Sequence, residues 1–290
     1  MRLEDINIRD PYMLLHEGTY YLYGTRSATC WGPAEGFDGY RSEDLKEWDG
    51  PYEIFRRPEG FWADRCFWAP ECVYADGMFY FVTTFGSETQ KKGIQILRSA
   101  DPLGPFELWS DGVVTPKDWC CIDGTVVFRE AKPYLMFSHS FEDIPDGDMC
   151  LMELTADLRA AASEPVTVFQ AKDAPWAVPV PFAREEFGMD GDVYFTDGPT
   201  VCETGDGETI LLWSSWGGHG YSVGRAVSES GNLAGPWKHD EQPLFENGGH
   251  GMLFRSKEGE LYYMLHYPND IGKEHPVLHR VSETVDESLD

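Results

Sequence analysis

The sequence predicts an all-β protein, a five-bladed β-propeller, on three observations. Short runs of β-branched and aromatic residues are separated by Gly, Asp and Pro turn signals, and apolar residues at helical spacing are nearly absent. One pattern, a short apolar strand, a glycine turn and an aromatic strand, occurs five times along the chain. Radial repetition of small sheets is how a propeller limits exposed edges, and five units fall within the usual four to eight blades.

The first unit runs from Arg9-Asp10-Pro11-Tyr12 through Tyr20-Tyr21-Leu22-Tyr23 to Gly39-Tyr40-Arg41-Ser42 and ends in Trp48. The second opens at Trp68-Ala69-Pro70-Glu71, turns at Asp76-Gly77, and continues as Phe79-Tyr80-Phe81-Val82 and Ile94-Gln95-Ile96-Leu97. The third begins Ile122-Asp123-Gly124-Thr125, returns as Tyr134-Leu135-Met136-Phe137 and closes near Cys150-Leu151-Met152. The fourth begins Thr196-Asp197-Gly198-Pro199 and returns as Ile210-Leu211-Leu212-Trp213; the fifth is Gly249-His250-Gly251-Met252, then Leu261-Tyr262-Tyr263-Met264, then Pro276-Val277-Leu278. No Ser- or Gly-rich linker interrupts the series, so residues 1–290 read as a single domain. The longest stretch outside the pattern, Ala156 to Asp192, precedes Asp197 and reads as a wall of a site, since long loops in compact folds are usually functional.

Fifty acidic against twenty-three basic residues give a formal charge of −27, which repels phosphate backbones and anionic membrane surfaces. Neither nucleic acid nor membrane is expected as a partner, and the oligomeric state is not legible. Ten Trp and fourteen Tyr suit clefts that stack sugar rings, although most aromatics of a β protein are core. Seven cysteines at irregular spacings make neither a disulfide ladder nor a C-x-x-C pair, and Met1 to Arg9 lacks an apolar leader. A cytoplasmic location is the expectation, or secretion if a signal was trimmed.

Aligned on their inner strands, the repeats place Asp10, Ala69, Asp123, Asp197 and His250 at matching positions. Inner strands line the channel of a propeller, so these side chains should meet near one axis. With a channel radius of about 4 to 5 Å, positions two blades apart lie roughly 8 to 9 Å apart, the span of inverting glycosidases, and adjacent ones roughly 5 to 6 Å. Asp10 is then the distant carboxylate, and Asp123 and Asp197 are a coupled pair in which one proton is retained. That suits an ionised base facing an acid; geometry alone leaves open which member of the pair donates. Glu71, two residues beyond Ala69 on the same strand face, is the rival acid. Trp68 and Trp213 are candidates to stack on a sugar, and Arg9 to hold its hydroxyls, with packing between blades and ordinary ion pairing as the competing readings.

These five ordered motifs, over nearly the whole chain, resemble the family 43 glycoside hydrolases. The resemblance implies a five-bladed propeller enzyme that hydrolyses, with inversion, arabinose-, xylose- or galactofuranose-containing oligosaccharides or polysaccharides. An α-L-arabinofuranosidase-like activity leads, and a catalytically inactive carbohydrate-binding propeller is the alternative. Asp10 matches the general base and Asp123 the carboxylate that orients and tunes the acid. Asp197 stands where the family usually has glutamate before Gly-Pro, which shortens the acid by one methylene. His250 matches a channel histidine that in arabinanase-like members contacts a calcium site. No cofactor is required for hydrolysis. Any metal near His250 would be structural or electrostatic, because hard calcium prefers oxygen and no paired His motif for zinc exists.

Overall fold

The computed structural model describes residues 1–285 as five antiparallel sheets in ring order, with one α-helix of five residues, Ala183–Phe187, and three single-turn 3-10 helices. The last five residues of the domain expected from sequence, 286–290, lie outside the described residues. The first blade pairs Ile8–His16, Thr19–Arg26, Gly36–Ser42 and Asp49–Arg56 in sequence order. The second pairs Arg65–Ala75, Met78–Gly86, Gly93–Ser99 and Glu107–Leu108. The third uses Cys121–Arg129, Lys132–His139, Asp148–Glu153 and Val166–Gln170. Its fourth strand lies inside the stretch read from sequence as non-repeat, because Val166-Thr167-Val168-Phe169 alternates too briefly to stand out. The fourth blade is Asp197–Glu203, Thr209–Gly217, Gly220–Ser228 and Trp237–His239, with Phe245–Glu246 also on its third strand. The fifth has three strands, Gly249–Arg255, Leu261–Tyr267 and His275–Arg280.

The local chemistry accounts for the hairpins. His16 pairs with Thr19 across Glu17-Gly18, and Ala75 with Met78 across Asp76-Gly77. Both turn residues have positive φ in each case, the two-residue turn whose twist matches the flanking strands. Apolar clusters then fill the gaps between successive blades. Tyr23, Phe37, Phe81 and Phe85 lie between the first and second, and Met13, Leu22, Met252 and Met264 close the ring between the first and fifth. No helix among the described residues is long and apolar enough to cross a membrane.

Each inner strand breaks register near its start, and the break turns one residue into left-handed backbone: Asp10 (φ 51), Ala69 (φ 46), Asp123 (φ 57), Gly198 (φ 48) and His250 (φ 42). For a non-glycine residue this conformation costs roughly 1–3 kcal/mol, and such bulges re-aim side chains beside active sites. The matched position in the fourth blade is therefore Gly198, not Asp197. Asp197 pairs with Ser214 as Arg9 pairs with Thr25, Trp68 with Thr84, Ile122 with Ser138 and Gly249 with His266. Its carboxylate enters the channel one residue upstream of the other two, toward the pocket mouth.

Candidate active site

A cavity of about 610 Å³ opens at the upstream ends of the inner strands, lined by Arg9, Asp10, Trp68, Asp123, Asp197 and His250 among others. The site thus gathers six of the eight residues singled out from sequence. Within Ala156 to Asp192, Phe182, Glu186 and Phe187 supply part of the wall, as expected of the long loop, and Phe195 just beyond it adds to that wall.

His250 is the hub. Its Nδ1 lies 2.8 Å from Asp197 Oδ1, 3.4 Å from Asp10 Oδ1 and 3.8 Å from Asp123 Oδ2. Burial disfavours its charged form, but the three surrounding carboxylates outweigh burial and push the imidazole up to about 10. The ring is therefore an imidazolium at neutral pH. Its contact with Asp197 is one of distance, since the ring N–H is not aligned on Oδ1, which has no hydrogen-bond partner among the described residues.

Burial and then the neighbouring Asp197 raise Asp123 well above the usual carboxylate range. Asp197 is buried too, but the adjacent His250 charge outweighs burial and holds it well below that range. The opposite directions favour Asp123 over Asp197 as the proton-holding member of the pair. Asp10 is held differently: Thr25 Oγ1 donates to its Oδ2 at 2.6 Å, and its own N–H donates to His266 Nδ1 at 3.3 Å. The nearest oxygens of Asp10 and Asp197 are closer together than the 8 to 9 Å of an evenly spaced ring, because both rest against the same imidazole nitrogen.

One of the sequence candidates needs correction. Trp213 is fully buried between the third and fourth blades against Phe169 and Trp176, so it packs the core and offers no face to a sugar. Glu71 is not among the residues that line the cavity, and burial pushes its carboxyl up to about 8. Trp68 does reach the wall, and Trp31, 61 % exposed, meets it edge-on at 5.3 Å. Arg9 faces the pocket and is gripped by Glu274 Oε1 at 3.1 Å and Asn269 Oδ1 at 3.0 Å.

Tyr221, His266, Asn269 and Glu274 were not found from sequence. Tyr221 and His266 sit on second and third strands, and Asn269 and Glu274 on a loop more than 250 residues from Asp10, where no repeat pattern marks them. Asp123, Asp197 and His250 present metal-capable atoms within 4.8 Å of one another. Calcium takes six to eight oxygen ligands. Two carboxylates and an imidazole would supply part of that shell, with water or substrate oxygens needed for the rest.

A family model described as "Glycosyl hydrolases family 43" matches residues 5–284. Among solved structures, the endo-arabinase from Bacteroides thetaiotaomicron is 31% identical, with 97% of this chain and 96% of that one covered and a TM-score of 0.87. The endo-1,4-beta-xylanase from the same organism is 24% identical over 95% and 90% of the two chains, with a TM-score of 0.74. The alpha-L-arabinofuranosidase from Lactobacillus brevis is 18% identical over 97% and 94%, with a TM-score of 0.73. The latter two likenesses are of fold.

Proposed function

The chain belongs to glycosyl hydrolases family 43, an inverting glycoside hydrolase with a five-bladed propeller, and from that premise we propose that it cleaves arabinose-containing oligosaccharides or polysaccharides. Asp10 is the general base in this reading, Asp197 the general acid and Asp123 the carboxylate that keeps a proton in the pair. The observation that supports it most is that Asp10 and Asp197 flank the His250 imidazole and both face one cavity.

Inversion needs water activated on one face of the sugar while the leaving oxygen is protonated on the other. Asp10 suits the activation of water, because Thr25 and the backbone fix its carboxylate while its side chain lines the pocket. To protonate the leaving oxygen, the proton on Asp123 must pass to Asp197, the pair member nearer the mouth. A sugar entering between Asp10 and Asp197 displaces the His250 contact, and losing that cation raises the affinity of Asp197 for the proton. The arabinose preference rests on the 31% identity to the endo-arabinase over nearly the whole of both chains.

The second reading is an inactive sugar-binding propeller. It is favoured by one feature, an acid one methylene short and held ionised by His250. Nitrophenyl arabinofuranoside, xyloside and galactofuranoside, together with arabino-oligosaccharides, separate the two. Arabinose release with an inverted first-formed anomer in the proton NMR spectrum is expected. Tight oligosaccharide binding with no reducing sugar released on long incubation would establish the binding propeller instead.

A further inference from the structure

At the blade junctions the N–H of the left-handed inner-strand residue turns to a side chain of the preceding blade. The hydroxyls of Thr25, Thr84 and Ser214 accept from Ala69, Asp123 and His250 at 2.8, 3.0 and 2.9 Å. At the fourth junction the Gly198 N–H turns to Asp123 Oδ2 at 3.4 Å, and Ser138 Oγ has no partner among the described residues. The junction that closes the ring, fifth blade to first, breaks the series: the acceptor is an imidazole, His266 Nδ1, and the donor is Asp10.

A hydroxyl accepts whichever way it rotates, whereas an imidazole accepts at one nitrogen only if its proton sits on the other. His266 is fully buried and stacked on Tyr221 with ring centroids 5.6 Å apart, so its ring has no room to turn over. Burial and the nearby Arg9 keep it neutral. Its Nε2 lies 3.4 Å from Asn269 Oδ1, the same oxygen that accepts from Arg9 Nη2 at 3.0 Å. Arginine has donors only, so the Asn269 oxygen, not its amide nitrogen, must face both groups. Glu274, fully buried, holds the other end of the guanidinium at 3.1 Å.

We propose that Asn269 is a positioning residue for Asp10: by accepting from Arg9 and His266 together, it fixes His266 as the Nε2–H tautomer, so that Nδ1 holds the Asp10 amide and withholds a proton from its carboxylate. The alternative tautomer would place an N–H 3.6 Å from Asp10 Oδ1 and leave the Asp10 amide without its acceptor. A carboxylate that accepts an additional hydrogen bond is a weaker base. The groups facing Asp10 are then Thr25 Oγ1, the His250 imidazolium and the uncharged His266 Nδ1, with Arg9, Asp123, Tyr221 and the Cys30 thiol also acting on it through space. The inference rests on reading Asp10 as the base.

Nitrogen-15 NMR of histidine-labelled wild-type protein reads the tautomer directly: His266 as Nε2–H is expected, and Nδ1–H overturns the proposal. Kinetics on an arabino-oligosaccharide supply the second arm, with Asn269→Ala, Asn269→Asp and Asp10→Asn compared. Asn269→Ala is expected to lower kcat roughly 10- to 100-fold with KM little changed, the scale of a small misplacement of a reacting group. Its acidic limb in kcat/KM moves to lower pH. Asn269→Asp keeps the shared oxygen acceptor and recovers most of the loss. A loss confined to KM would make Asn269 a substrate contact. An unmoved acidic limb, with Asp no better than Ala, would make it merely structural. Either result overturns the proposal. Full activity of Asp10→Asn would instead remove the base assignment on which it stands.

Discussion

Between the first two blades, Tyr23, Phe37, Phe81 and Phe85 meet edge to face at 5.3 to 6.0 Å, and the one polar atom among them, the Tyr23 hydroxyl, donates to Pro102 O at 2.7 Å. Along the channel the materials are reversed. Asp10, Asp123, Asp197 and His250 crowd one point, all but Asp197 on left-handed backbone. Buried oxygens of Asp197, Glu71 and Glu274 have no hydrogen-bond partner among the described residues. An unmet buried polar group costs about 1–3 kcal/mol, as does each left-handed non-glycine residue. The difference teaches a division of labour: aromatic blade interfaces hold the ring together so that its axis can keep charges that would not otherwise stay buried.

Substitutions should therefore separate into activity effects at the axis and stability effects at the interfaces. The largest expected effect is at Asp10. Asp10→Asn lowers kcat/KM by about 10²- to 10⁴-fold, the worth of a general base, with the unfolding midpoint changed little. A large fall in midpoint would break the division. Phe81→Ala is its mirror image. It costs about 3–5 kcal/mol in denaturant unfolding while the folded fraction keeps the wild-type kcat.

His250 tests where the two regions meet. Its folded pKa is raised to about 10 from 6.5, so its contribution to stability is full below pH 6.5 and is lost as pH rises through about 10. Unfolding of the wild type relative to His250→Gln should lose up to a few kcal/mol between pH 7 and 10. A difference that does not vary with pH would mean that the carboxylates do not hold the proton there. The smallest effect is at the rim: Trp31→Ala leaves stability within about 0.5 kcal/mol and raises KM for long arabino-oligosaccharides about 2- to 10-fold. Equal effects on a nitrophenyl monosaccharide would show that Trp31 does not contact the extended chain.

Much of this plan was legible because repetition converts sequence into angle. Asp10-Pro11 and Ala69-Pro70 mark the left-handed turn of the inner strand, and they point to Gly198-Pro199 as their counterpart. Matching by charge instead chose Asp197, one residue early, and with it a wider spacing from Asp10. The Trp213 error has a different origin. Alternation says which face of a strand is apolar, but a propeller strand buries both faces between blades, so an aromatic near its end can point to core or to pocket. Asn269, Glu274 and His266 were beyond reach for a third reason. Their partners Arg9 and Asp10 lie at the other end of the chain, and only ring closure makes them neighbours.

The central claim is that Asp10 activates the water and Asp197 faces it across the sugar. Azide added to Asp10→Ala tests this most directly, because a small anion can occupy the space of the lost carboxylate and its water. With arabino-oligosaccharide followed by proton NMR, restored turnover yielding a glycosyl azide of inverted configuration is the predicted result, and Asp197→Ala should not be rescued in that way. Azide rescue of Asp197→Ala with inversion, and none of Asp10→Ala, would contradict the assignment.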